Sequence, residues 1–92
     1  MAACKPCKGN KNIVSIFHEN IVNLRCICVG KKSDSIFLVF EYCEYDYSTL
    51  IDRMYRKFNE NEIKTIMIQL LSATAFLHGK FIMHRDLKLS NL

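Results

Sequence analysis

No apolar stretch in these 92 residues is longer than Ile36–Phe40, against the roughly 18 residues a membrane-spanning helix needs. Residues 1–11 contain no apolar segment of the kind that forms the centre of a secretory signal. Neither a membrane-spanning nor a secreted protein is therefore expected. Proline occurs once and glycine three times, and there is no repeat, low-complexity tract or internal linker. Collagen-like and disordered classes fall away with them. The length leaves room for one small domain and excludes a complete two-lobed enzyme. With half the residues hydrophobic and 24% charged, the chain sits in the globular range and needs a core.

The net charge of +4 is unevenly spread. Residues 1–32 carry six Lys/Arg against Glu19 alone, residues 33–62 are acidic by four, and residues 63–92 carry four bases against Asp86. Lys5, Lys8 and Lys11 have no interleaved aromatics, so they read as a solvated arm and not as a nucleic-acid surface. Five cysteines are an odd count, and without a signal peptide they point to reduced thiols inside the cell, in the cytoplasm or nucleus. Cys4 and Cys7 form a C-x-x-C, but its only possible second pair, Cys26 and Cys28, is spaced C-x-C and matches zinc-ribbon spacing poorly. A thiol-exchange reading lacks the surrounding βαβ pattern. Cys26, Cys28 and Cys43 read as small buried hydrophobes.

Residues 1–12 form a leader with the only Pro, and residues 13–17 could be the last turn of a helix that His18, Glu19 and Asn20 break. The β-branched and aromatic content predicts strands at Leu24–Val29 and 36–42, joined by a turn at 30–35, together a hairpin. A short helix is expected over 48–57. The strongest periodicity follows, with Ile63, Ile66, Met67, Leu70, Leu71, Thr74 and Leu77 at three- and four-residue steps. Asn59 and Glu62 give a capping-box start, and Gly79 stands where a left-handed residue would end the helix. The predicted span is 60–78. Its apolar stripe is so wide that the helix is built for burial on most sides, and a chain this short cannot supply that cover.

The chemistry lies in residues 81–92. An apolar triplet, Phe81-Ile82-Met83, delivers a loop in which the Asp86 carboxylate, the Lys88 ammonium and the Asn91 carboxamide can converge on one phosphate centre. A carboxylate orients an attacking hydroxyl and accepts its proton, a lysine offsets charge on the moving phosphoryl group, and an amide oxygen ligates Mg²⁺ without adding charge. The bland alternative is a surface loop in which Asp86 and Lys88 merely pair with each other.

His84-Arg85-Asp86-Leu87-Lys88 followed by Asn91 resembles the H-R-D-L-K-x-x-N catalytic loop of the protein kinases. The resemblance implies an α+β fold class, a fragment of the protein kinase fold. Its expected parts are the β-hairpin of the N-lobe at 24–42, a hinge at 41–46, the start of the helical lobe at 47–80 with a short and a long buried helix, and the catalytic loop at 81–92. It implies Asp86 as catalytic base, Lys88 as the phosphate contact of the serine/threonine class, Asn91 as a Mg²⁺ ligand, Arg85 as partner of an activation loop and His84 as structural. By the same resemblance Phe40 is the gatekeeper, backbone groups of Glu41 and Cys43 meet the adenine of ATP, and Asp46 faces the ribose. For Asp46 a helix N-cap or a solvated acid remains open. His18-Glu19-Asn20-Ile21-Val22 is similar to the H-x-N-I-V that follows the regulatory helix.

The details Ser35-Ile36-Phe37-Leu38-Val39, Tyr42-Cys43-Glu44 and Lys88-Leu89-Ser90-Asn91-Leu92 resemble the cyclin-dependent kinases, in particular the cyclin-dependent kinase 10-like and PITSLRE-like branch. The family acts on protein Ser/Thr hydroxyls with ATP and Mg²⁺ and binds a cyclin. Neither nucleic acid nor membrane is expected as a partner. These 92 residues hold no glycine-rich loop, strand lysine, D-F-G or activation segment, and no carboxylate precedes Glu19. A partial catalytic domain, inactive alone, is one expectation. A short non-catalytic binding protein derived from a kinase is the alternative, and a small zinc or redox protein is the third.

Overall fold

The computed structural model describes residues 16–31 and 34–92. The leader, and with it Cys4 and Cys7, lies outside the described residues. The chain divides into two compact units, Met1–Tyr42 and Cys43–Leu92. The first holds strands β1 (Leu24–Val29) and β2 (Ile36–Phe40). The second holds helices α1 (Tyr47–Arg53) and α2 (Glu60–Gly79) and a 3-10 turn at Leu89–Asn91.

In the first unit β1 and β2 form the expected antiparallel hairpin, with Val29 opposite Ile36, Cys28 opposite Phe37 and Cys26 opposite Val39. Leu24 then faces Phe40, so Arg25 is an extra residue and the ladder bulges there. Strand β2 ends two residues earlier than the sequence pattern suggests. The Glu41 amide donates to Asn23 O at 2.9 Å, but the Asn23 amide donates to Glu41 Oε1, also at 2.9 Å. The carboxylate thus takes the donor that another rung of backbone pairing would use.

At the other end the Gly30 amide donates to Ser35 O at 2.7 Å, and a Cβ on Gly30 would stand 2.8 Å from Ser35 Cβ. Only glycine closes this loop without displacing the chain. Upstream, the Ile21 amide donates to His18 O and the Asn20 amide to His18 Nδ1, which makes the turn expected at 18–20. Ile16 and Phe17 are not helical, and the rest of the expected helical turn, 13–15, lies outside the described residues.

The cysteines differ from one another. The period-two alternation puts Cys26 and Cys28 on one face of β1, their sulfurs 3.9 Å apart. Cys28 is buried and Cys26 half-buried, while Cys43 is exposed, so the buried-hydrophobe reading holds for Cys28 and fails for Cys43. Cys43 is a free thiol.

In the second unit α1 is shorter than the predicted 48–57. Met54 turns extended (φ −75°, ψ 136°), its amide bonded to Leu50 O and Ile51 O. Tyr55, Arg56 and Lys57 are exposed and give a longer helix nothing to bury. The bend instead returns the half-buried Phe58 ring edge-on to Tyr47, centroids 6.1 Å apart. Arg53 lies over the Tyr45 ring at 5.0 Å.

Helix α2 begins with the expected capping box. Asn59 Oδ1 accepts from the Glu62 amide and Glu62 Oε2 from the Asn59 amide, both at 2.9 Å. Arg56 adds a two-pronged grip on the Glu62 carboxylate at 2.7 and 2.9 Å. The other end departs from expectation. Gly79 is helical, and the left-handed residue is Phe81 (φ 60°). The Phe81 amide donates to His78 O and the Ile82 amide to Leu77 O, the two bonds of a Schellman ending, with apolar Ile82 and Leu77 at the positions that accompany it. A non-glycine residue in this conformation costs about 1–2 kcal/mol, offset here by two satisfied carbonyls.

Ile66, Leu70, Ala73, Thr74 and Leu77 form the shielded stripe of α2. Ile63, Met67, Ile68 and Leu71 lie open, as do all five residues of β2. Cys28 and Ala73 are the buried hydrophobic residues among those described. The long helix forms as the periodicity demands, but its outer apolar positions have no cover here. No helix among the described residues is long and apolar enough to cross a membrane.

Candidate active site

The Schellman ending turns the chain out of α2 into the loop that carries His84, Asp86, Lys88 and Asn91. Two residues in this short stretch hold positive φ, Phe81 and Arg85 (φ 68°). Strain of this kind is concentrated where a site needs a fixed backbone. The Arg85 conformation immediately precedes Asp86, whose amide donates to His84 Nδ1 at 3.2 Å. His84 therefore supports the loop through a ring nitrogen that must be unprotonated to accept.

After Asp86 the chain runs extended through Lys88 (φ −159°, ψ 162°) into the 3-10 turn, where the Asn91 amide donates to Lys88 O at 2.9 Å. This path doubles back. Asn91 Nδ2 donates to Asp86 O at 2.9 Å and reaches Asp86 Oδ2 at 3.3 Å. Lys88 Nζ lies 3.6 Å from the same carboxylate oxygen. The acid, the ammonium and the carboxamide are thus brought together, and all three residues are exposed. Because the carboxamide nitrogen is engaged with Asp86, its oxygen is the atom left to ligate a metal. Carboxylate and carboxamide oxygens are the hard donors that Mg²⁺ takes.

The other sequence-derived positions fall on other elements of the sequence. Phe40, about half exposed, ends β2, and Glu41 is held to Asn23 by backbone and carboxylate in the first unit. Cys43 is an exposed free thiol in the second unit. Asp46 is the N-cap of α1, its Oδ1 accepting from the Thr49 amide at 2.7 Å. Among the described residues no group of three His, Cys, Asp or Glu could hold a metal ion, and two of the four cysteines of the zinc reading lie outside them.

Sequence reasoning missed one contact to the site. The Tyr47 amide, at the start of α1, donates to Leu92 O at 2.8 Å, next to Asn91. A backbone pairing of this kind leaves no mark on residue type.

The acid, amine and amide of the motif thus fold back onto one centre, on a loop that follows a long helix. The protein kinase domain model matches residues 9–92, and the chain belongs to the protein kinase family. Within that family its sequence is of the cyclin-dependent type. It is 49% identical over 82 residues to the serine/threonine-protein kinase ppk23 of Schizosaccharomyces pombe, which covers 89% of this chain and 21% of that protein. It is 46% identical over 80 residues to mouse cyclin-dependent kinase 10, 87% of this chain and 22% of that one. To rat cyclin-dependent kinase 11B it is 48% identical over 80 residues, 87% of this chain and 18% of the relative. The chain thus spans about a fifth of the length of these relatives.

Proposed function

We propose that these residues serve an ATP-dependent serine/threonine protein kinase of the cyclin-dependent type, transferring a phosphoryl group to hydroxyls of a protein substrate. The observation that carries this reading is the convergence of Lys88 Nζ and Asn91 Nδ2 on Asp86 Oδ2. Asp86 orients the substrate hydroxyl and takes its proton as the oxygen attacks the γ-phosphorus and the bond to the ADP oxygen breaks. Lys88 offsets the charge on the moving phosphoryl oxygens. Asn91 Oδ1 would hold Mg²⁺, which would neutralise phosphate charge. Arg85 is reserved for an acidic or phosphorylated activation loop.

The nucleotide base falls to the segment containing Phe40, Glu41 and Cys43, with Asp46 beside the ribose, on resemblance to the family. Since the Glu41 amide is engaged with Asn23 O, the Glu41 carbonyl and the Cys43 amide are the backbone groups we assign to adenine. A cyclin as partner and an intracellular setting, cytoplasm or nucleus, go with the same reading. The 92 residues alone are expected to transfer no phosphate, because the sequence has no glycine-rich loop, no strand lysine paired to a regulatory glutamate and no D-F-G, and such losses fall on one transition state.

The test is phosphate incorporation from Mg-ATP into a basic protein substrate, by the polypeptide of the full transcript and by these 92 residues separately. Activity in the first that Asp86→Asn abolishes supports the reading, and activity surviving that change overturns it. Incorporation by the 92 residues that Asp86→Asn removes would refute their expected silence.

A further inference from the structure

Helix α1 has seven residues, too few to persist in water on their own propensity. It exists through its cap and its neighbour. Of its unpaired opening amides, Thr49 donates to Asp46 Oδ1 at 2.7 Å and Tyr47 to Leu92 O at 2.8 Å, while the Leu50 amide makes the first helical bond, to Asp46 O at 2.9 Å. The element α1 packs against is the 3-10 turn Leu89–Asn91. That turn is equally slight, held by the Asn91 amide on Lys88 O at 2.9 Å and the Leu92 amide on Leu89 O at 3.3 Å. Two elements that are each marginal are therefore joined by one backbone bond, and the far side of that bond carries the carboxamide that meets Asp86.

We propose that Asp46 is a positioning residue for the Asp86–Asn91 turn, acting through the first turn of α1 and the Tyr47–Leu92 hydrogen bond. The Asp46 carboxylate fixes the Thr49 amide and with it the direction of the Tyr47 N–H. The Tyr47 amide holds the main-chain oxygen of Leu92, which closes the 3-10 turn from outside, and the turn sets where the Asn91 side chain lies. Removing the cap frays α1 from its first residue, frees that oxygen and loosens Asn91 from Asp86. This role differs from a ribose contact, in which the carboxylate would act on ligand and not on the chain. Its meaning for catalysis rests on the phosphoryl-transfer reading above, but its test does not depend on activity.

The experiment is amide and side-chain hydrogen exchange by NMR on the ¹⁵N-labelled 92-residue chain, kept monomeric by Ile68→Glu and Leu71→Lys on the exposed side of α2, comparing that background alone with its Asp46→Ala, Asp46→Asn and Asn59→Ala forms. Asp46→Ala is expected to speed exchange at the Tyr47 and Asn91 amides about fivefold, the usual size of a lost cap, and to release the Asn91 carboxamide protons. Asp46→Asn, an equally good cap, restores both. Asn59→Ala, which removes the cap of α2, speeds Glu62 and leaves Asn91 unchanged. An Asn91 signal indifferent to Asp46→Ala, moved equally by Asn59→Ala, or not restored by Asp46→Asn overturns the positioning role while leaving the site intact. An Asn91 carboxamide that in the background alone exchanges as freely as in a peptide would overturn the convergent site itself, and the proposal with it.

Discussion

Lys88 Nζ and Asp86 Oδ2 lie 3.6 Å apart at the surface, with 57% and 67% of their side chains accessible. At that exposure the pair is screened, and its contribution to folding is about 0–1 kcal/mol. On the proposed reading its weight is chemical, the ammonium offsetting charge on a transferred phosphoryl group.

Lys88→Met should therefore separate stability from activity. Hydrogen exchange and helicity of the 92-residue chain are expected to stay at wild-type values. Phosphate transfer by the polypeptide of the full transcript should fall by about 10²–10³-fold, the usual effect of removing one charge-stabilising group. Loss of helicity alongside activity would show that the lysine acts on the fold.

The start of α2 should respond to acid in a defined window. The Arg56 hydrogen bonds, then the Asn59 amide, lower the Glu62 pKa from 4.5 to about 2, and Glu62 raises that of Arg56 in return. A depressed carboxylate stabilises the folded helix start fully above 4.5, and that contribution disappears as pH falls through about 2. Exchange at the Asn59 and Glu62 amides should accordingly quicken, relative to the helix centre, between those values. Glu62→Gln keeps the capping box but loses the charge, and it should flatten the pH dependence. A profile unchanged by that substitution would exclude Glu62 as the titrating group.

Phe81→Gly is expected to stabilise the end of α2. The ring is 97% exposed and its φ is 60°, so glycine gives up little contact and removes the left-handed penalty. Amide exchange at residues 81 and 82 should slow by roughly threefold to tenfold, matching about 1 kcal/mol. Faster exchange there would mean that the ring supports the turn.

The uncovered side of α2 predicts self-association. Ile68 and Leu71 are 68% and 60% exposed beside Ile63 and Met67, an apolar surface of the kind that drives aggregation when left open. The purified chain should sediment as a mixture and melt broadly. Ile68→Glu with Leu71→Lys should raise the monomer fraction. A sharp, cooperative melt of wild-type monomer would contradict this.

The elements whose side chains repeat were readable in advance. Ile66, Leu70 and Leu77 mark the shielded stripe of α2 at helical spacing, Asn59 and Glu62 mark its start, and the β-branched run Ile36–Phe40 marks a strand. The convergence of Asp86, Lys88 and Asn91 was legible because the three residue types stand close together in one short loop. What escaped depends on backbone or on contacts without a fixed spacing. The Schellman residue is Phe81 while a glycine stood two positions earlier, Arg56 reaches Glu62 across a bend, and Glu41 ends β2 with its side chain. The bond from Tyr47 to Leu92 joins distant residues through groups every residue possesses.

Among the described residues the β1–β2 hairpin has two strands, and every residue of β2 is open to solvent. Within those residues each strand offers one unpaired margin of amides and carbonyls beside bare aliphatic and aromatic groups, a template on which further chains can stack. In a cell such a margin is surveyed by chaperones and proteases, so for a polypeptide built of these residues alone, abundance would be governed by clearance more than by synthesis.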